Sequence, residues 1–204
     1  MPPVPADRRV LIAAVLSLLV FGGLIIVALT PGLHGIDREL KLALDATRHP
    51  LLELTMRAVT FAGDGSMLLV LTAVTWLVLR RAGDRLVWRL PAIMLGSAAA
   101  EWLLKWLVAR RRPRGGPFAF PSGHVFTSVV FFGLVIYLLW TRDVGRPWRV
   151  GGTIACLLLI AGIAASRMYL RFHWLTDVLG GLSGGAAYLL IALAIADRPR
   201  GNPA

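Results

Sequence analysis

The chain has 204 residues, 57% of them hydrophobic, with a mean hydropathy of +0.71 and a formal net charge of +11. Uninterrupted apolar runs of bilayer length exclude a soluble domain built on amphipathic stripes, since a helix needs roughly 20 apolar residues to cross the hydrocarbon core. The basic residues sit in short clusters between those runs, as topology signals and headgroup contacts do, which argues against nucleic acid as a partner.

The chain opens with a Pro-rich tail over 1–9, predicted to be cytoplasmic. The first apolar run, Val10 to Leu29, follows Arg8 and Arg9. It exceeds the ~7–15 residues of a secretory h-region and lacks a small-x-small cleavage site before Pro31, so it reads as an uncleaved span. Next, Ile36, Leu40, Leu44 and Leu51 alternate with Asp37, Arg38, Lys41, Asp45 and Arg48. Their spacing predicts an amphipathic helix in the first outer loop, lying along the membrane interface or packed on the bundle. The step Ala62-Gly63-Asp64-Gly65 then breaks the chain before the apolar core of the second span.

Further spans are predicted over 59–79, 88–109, 123–140, 150–168 and 174–196. Arg81-Ala82-Gly83-Asp84 and Gly145-Arg146-Pro147 punctuate them. The fold class is therefore all-α, a six-transmembrane-helix bundle with an interfacial helix in the first outer loop. A single membrane-embedded domain is expected over 10–197, followed by a cytoplasmic tail over 198–204. The lone Cys156 lies in an apolar run and can form no intrachain disulfide. Gly180-Gly181 and Gly184-Gly185 in the last span favour close helix packing.

Six spans place both termini on one side, together with loops holding Arg80, Arg81, Arg85, Arg89, Arg142, Arg146 and Arg149. The positive-inside rule assigns that side to the cytoplasm. The opposite face also carries Arg110, Arg111, Arg112 and Arg114, so a plain count of cations does not separate the two. The outer cations have a competing reason to exist, because an anion bound there would need them. Arg110, Arg111 and Arg114 read equally as headgroup contacts or substrate guides.

The same parity brings three polar stretches to one surface. In Lys105-x6-Arg112-Pro113 the two cations stand seven residues apart, so they share a helix face if the helix runs to the proline. Such a pair suits a phosphoryl group, and Glu101 is placed to pair with Lys105. A snorkelling lysine beside juxtamembrane arginines is the plainer alternative. In Pro121-Ser122-Gly123-His124, Ser122 is a good N-cap and Gly123 permits close approach to its amide. His124 in the first turn is placed to give a proton to a leaving oxygen, although an ordinary helix start looks the same. In Ser166-Arg167-x5-His173-x3-Asp177, the i,i+4 spacing lets the carboxylate fix the imidazole tautomer and free the other nitrogen to attack. A structural His–Asp pair at a helix start is again the alternative.

Taken in order, the three stretches resemble the signature of the type 2 phosphatidic acid phosphatase superfamily at every fixed position. The motif region from Lys105 to Asp177 covers about a third of the chain. The resemblance implies that His173 attacks phosphorus to give a phosphohistidine, with Asp177 orienting it. It implies that His124 protonates the leaving oxygen and then activates water. Lys105, Arg112, Ser122, Gly123 and Arg167 would hold the phosphoryl oxygens, with Ser166 and Glu101 as possible supports. No metal and no other cofactor are implied, and the sequence has neither a Mg²⁺-type carboxylate cluster nor a zinc-ligand pattern.

The expected partners are the bilayer and a phospholipid or prenyl phosphate, such as phosphatidate, phosphatidylglycerophosphate or undecaprenyl diphosphate, at the outer face. Transfer to another lipid, action on small soluble phosphate esters, and a non-enzymatic transport or assembly role are the competing readings. His34 and His49 lack a partnered acid and read as solvated or interfacial, and the seven tryptophans read as an aromatic belt.

Overall fold

The computed structural model describes residues 8–196, so the expected tails lie outside the described residues except for Arg8 and Arg9, which open the first helix. Among the described residues the chain is helical throughout, with no strand. The elements are α1 (Arg8–Leu29), a 3₁₀ turn at Pro31–Leu33, α2 (Gly35–Ala46), α3 (Pro50–Phe61), α4 (Gly65–Arg81), α5 (Arg89–Val108), α6 (Gly123–Thr141), α7 (Arg146–Tyr169) and α8 (Leu175–Ala196).

Most boundaries fall within a few residues of the apolar runs that predict them. The second predicted span differs. Helix begins at Pro50, not near 59, because His49 caps α3 by accepting from the Leu51 amide and Pro50 suits the first helical turn. The chain then turns at Ala62–Asp64, where Asp64 Oδ1 accepts from the Ser66 amide at 3.0 Å and caps α4. The two helices meet with a 42° bend. Among the described residues four helices, α1, α6, α7 and α8, are long and apolar enough to cross a membrane, and the bent α3–α4 pair counts as a fifth if it is one span. Helix α5 has 20 residues but carries Glu101 and Lys105 in its last two turns, and it does not meet the same standard.

Contacts fix the direction of each long helix. Phe21 and Ala28 of α1 pack on Val108 at the end of α5 and on Phe120 just before α6. Leu79 of α4 packs on Leu86 just before α5 and on Leu90 in its first turn. At that same end, Arg142 after α6 pairs with Asp84, and Arg89 donates to the Ala196 carbonyl at the end of α8. The long helices therefore alternate in direction. The end of α5, the start of α6, the end of α7 and the start of α8 share one end of the bundle.

Between lipid-facing helices there is little hydrophobic gain in association, so close backbone packing has to hold them together. Helix α8 achieves this with glycine. A Cβ at Gly181 would stand 2.8 Å from the Ser122 carbonyl oxygen, and one at Gly185 2.7 Å from that of Phe126. The bundle's outer surface is apolar, with Leu19, Leu69, Leu95, Leu107 and Leu158 all about two-thirds exposed. Exposed tryptophans mark both ends, Trp102 and Trp106 at the end holding the polar stretches, and Trp88, Trp140 and Trp148 at the other.

Helix α2 packs on α7 and α8. Its inward stripe is Asp37, Leu40, Lys41, Leu44 and Asp45, a helical i, i+3, i+4, i+7, i+8 pattern. The alternation read from the sequence puts Asp37 on the polar face, yet its side chain is fully buried and Ile36 is exposed. Three hydrogen bonds described below account for that burial.

Candidate active site

Backbone and side-chain contacts join the three polar stretches. The Ser122 amide donates to the Asp177 carbonyl at 3.0 Å, tying the start of α6 to the first turn of α8. Gly123 faces the Glu101–Lys105 ion pair of α5. A side chain at 123 would collide with the carboxylate and lie 2.9 Å from Lys105 Nζ, so glycine is what lets α5 and α6 meet here. The His173 amide donates to the Arg167 carbonyl at 3.2 Å, which folds the α7–α8 turn back on itself.

The His173 ring is buried, and its Nδ1 lies 2.7 Å from the Ala119 carbonyl oxygen. A carbonyl only accepts, so Nδ1 carries the proton and Nε2 keeps its lone pair. Burial pushes the imidazole down to about 4; the nearby Asp177 carboxylate opposes this, while Arg167 and Arg112 add to it. His173 is thus neutral at neutral pH, with one nitrogen free. Here the sequence expectation needs correcting. Asp177 Oδ2 stands 3.7 Å from Nδ1, too far for a hydrogen bond, and accepts instead from the Trp174 amide at 2.8 Å. The Ala119 carbonyl fixes the tautomer, and Asp177 acts on the ring through charge.

Three polar atoms near this ring are buried without a hydrogen-bond partner: Arg112 Nε, Arg167 Nε and Ser122 Oγ. Each such atom costs about 1–3 kcal/mol unless something meets it. Arg112 and Arg167 lie close enough to feel one another and His173, and the Arg167 guanidinium is held by Thr60 Oγ1 at 3.1 Å and by the Phe172 ring face at 4.0 Å. On the α6 side, His124 Nε2 stands 3.7 Å from Asp64 Oδ2, and His124 is within electrostatic range of Arg167, His173 and Lys105. The cluster is therefore a neutral imidazole within electrostatic range of two arginines that hold unsatisfied donors, with a second imidazole in range of the first. That arrangement suits a phosphoryl group.

Several other sequence expectations are revised. Lys105 and Arg112 do not share a helix face, because α5 ends at Val108 and Ala109 takes a left-handed conformation, φ 45°. Arg112 instead sits in a tight loop, its amide bonded to the Gly116 carbonyl at 2.9 Å. Ser122 occupies the N-cap position, yet its hydroxyl caps nothing, which leaves it free for a ligand. The Ser166 hydroxyl donates to the Ile163 carbonyl at 2.6 Å and is used within its own helix. His49 and His34, read as solvated or interfacial, are exposed and part-buried; His49 also caps α3, and His34 contacts the Val27 carbonyl at 3.0 Å. Two residues escape the sequence reading: Asp64, an acid placed at the break in an apolar span, and Arg110, which is buried between Asp37 and Asp177 instead of guiding a substrate.

The family model described as the PAP2 superfamily matches residues 86–200, more than half the chain. The chain belongs to the PAP2 superfamily. Within it, the chain is 28% identical over 174 residues to phosphatidylglycerophosphatase B of Bacillus subtilis (strain 168), a match spanning 76% of this chain and 81% of the relative. It is 30% identical over 137 residues to a provisionally named undecaprenyl-diphosphatase, YbjG, of Escherichia coli (strain K12), spanning 62% and 65% of the two chains. The fold of this PAP2 protein is similar to that of the transmembrane PAP2-type phosphatidylglycerolphosphate phosphatase from B. subtilis. The TM-score is 0.84 at 23% identity, covering 93% of this chain and 98% of that one. Aquifex aeolicus LpxE gives a TM-score of 0.62 at 20% identity, covering 76% and 93%. The apolar helices and the membrane relative make this PAP2 protein a multi-pass membrane protein.

Proposed function

We propose that the chain is a six-span lipid phosphatase that hydrolyses a lipid phosphate monoester or diphosphate through a phosphohistidine on His173. The observation that carries this reading is the set of buried, unpaired donors, Arg112 Nε, Arg167 Nε and Ser122 Oγ, beside an imidazole whose Nδ1 is committed to a carbonyl. These donors, with Lys105 and the Gly123 amide, hold the phosphoryl oxygens and stabilise charge in the transition state. The lone pair on His173 Nε2 forms the N–P bond as the P–O bond to the lipid breaks. His124, protonated when Asp64 and the anionic oxygens of the bound substrate stand beside it, gives that proton to the departing oxygen, and Nδ1 of His173 keeps its own. His124 then takes a proton from the water that attacks the phosphohistidine, releasing phosphate and restoring both rings.

A single membrane-embedded domain over 10–197 carries this chemistry. Helix α5 is the sixth span, with its Glu101–Lys105 pair turned toward the site, and α2 lies at the interface above it. Both termini are cytoplasmic and the site opens on the outer face, where a headgroup enters while its tail stays in the bilayer. The relatives' names favour phosphatidylglycerophosphate and undecaprenyl diphosphate as substrates, with phosphatidate as a third candidate.

The test is phosphate release by the purified protein from these three lipids in the presence of EDTA. Turnover that persists in EDTA and vanishes in His173→Ala supports the reading. Turnover that survives His173→Ala removes the nucleophile, and phosphate appearing on a lipid acceptor in place of water makes the enzyme a phosphotransferase.

A further inference from the structure

Among the described residues, Asp37 and Asp177 are the most deeply buried charged side chains, and Arg110 joins them. Arg110 donates through one terminal nitrogen to Asp177 Oδ1 at 2.7 Å and Thr176 Oγ1 at 2.5 Å, and through the other to Asp37 Oδ2 at 2.7 Å. Asp37 in turn accepts from the Thr176 amide at 3.0 Å and the Thr176 hydroxyl at 2.7 Å. Both carboxylates are fully buried and Arg110 nearly so. The Trp174 ring lies beside the guanidinium, 5.9 Å from its carbon, and is itself held by the Arg111 carbonyl.

We propose that Asp37 and Arg110 are positioning residues for the nucleophile, clamping Asp177 and the turn that presents His173, and that α2 is thereby part of the catalytic apparatus. Two features support this. First, every short contact of Arg110 is spent on Asp37, Thr176 and Asp177, so it is not available to a phosphate as Arg112 is. Second, the two carboxylates share this one guanidinium, so the clamp holds the Asp177 carboxylate beside the ring, where it favours the imidazole turning cationic on bonding to phosphorus while Arg167 and Arg112 oppose it. The charged groups facing His173 are Asp177 from α8, Arg167 from α7, Arg112 and Arg110 from the loop before α6, His124 from α6, and Asp37 and Lys41 from α2.

The inference rests on the phosphatase reading, and the variants separate the two. In the full-length detergent-solubilised protein, kcat and KM are measured for whichever of the three lipids is turned over fastest. Asp37→Asn keeps the shape and loses the charge. It is expected to lower kcat about tenfold, roughly 1.4 kcal/mol of barrier, with KM within about twofold. It should also lower the pH at which His173 takes up a proton in ¹⁵N-histidine NMR, leaving that of His49 unchanged, which a loss of folded protein would not do. Arg112→Gln, by contrast, should mainly raise KM. If Asp37→Asn is not recovered folded, Arg110→Lys decides by the same kcat-against-KM split. Wild-type kcat in these variants while His173→Ala is inactive overturns the proposal alone. So does a rise in KM matching that of Arg112→Gln, which would make Arg110 a phosphate ligand. Full turnover in His173→Ala overturns the phosphatase reading and the proposal together.

Discussion

Gly181→Ala perturbs the seam between α8 and α6 that joins the proposed catalytic residues. The added methyl would lie 2.8 Å from the Ser122 carbonyl oxygen and 2.9 Å from Val125 Cβ. Ordinary contact begins near 3.4 Å, so the two backbones must part by about 0.6 Å. The Ser122–Asp177 backbone hydrogen bond spans the same seam and ties Ser122 to the turn bearing His173. A misplacement of about 1 Å can cost a hundredfold in rate, so half that distance should cost about tenfold in kcat. Overpacking itself destabilises by about 1–3 kcal/mol. Gly185→Ala is the matched control, with the same clash one turn further from the site, 2.7 Å from the Phe126 carbonyl oxygen. Phosphate release and thermal unfolding in detergent should show both variants losing stability and only Gly181→Ala losing turnover. Equal turnover losses, or full turnover in Gly181→Ala, would refute the link between this seam and the nucleophile.

Two further outcomes follow from the electrostatics of the site. His173 binds its proton near 6.5 when unfolded and near 4 when folded, so neutral burial favours the fold fully above pH 6.5, and this advantage is lost as pH falls through 4. Thermal stability should therefore drop between pH 6.5 and 4 in the wild type and drop less in His173→Gln; identical profiles would contradict the assignment. Asp64→Asn keeps a competent helix cap but removes the charge 3.7 Å from His124 Nε2. It should slow turnover of a lipid phosphate by roughly tenfold and that of p-nitrophenyl phosphate much less, since only the lipid alkoxide needs a proton on departure. Equal losses on both would remove His124 from the acid role.

The apolar runs announce α1, α6, α7 and α8 to within a few residues because bilayer length is a property of the local sequence. The glycines of α8 are legible for a similar reason, since small residues one turn apart have few uses other than close packing. The end of α5 is not legible. Ala109 adopts a left-handed conformation usually left to glycine, and the next proline, Pro113, suggests a later stop. Arg110 and Asp37 are harder still. They are 73 residues apart and each looks like a surface charge, and only the packing of α2 on α7 and α8 makes them partners. The i,i+4 step from His173 to Asp177 brings the two side chains near each other but not into a hydrogen bond, because a backbone carbonyl 54 residues away accepts from the ring N–H.

The claim on which all of this depends is a covalent bond between His173 Nε2 and phosphorus. Rapid quenching of the enzyme with ³²P-labelled lipid phosphate, followed by peptide mapping, measures it directly. Acid-labile, alkali-stable label on the peptide containing His173, absent from His173→Ala, is the predicted result. Turnover without label at that residue, or label on a different side chain, would contradict it.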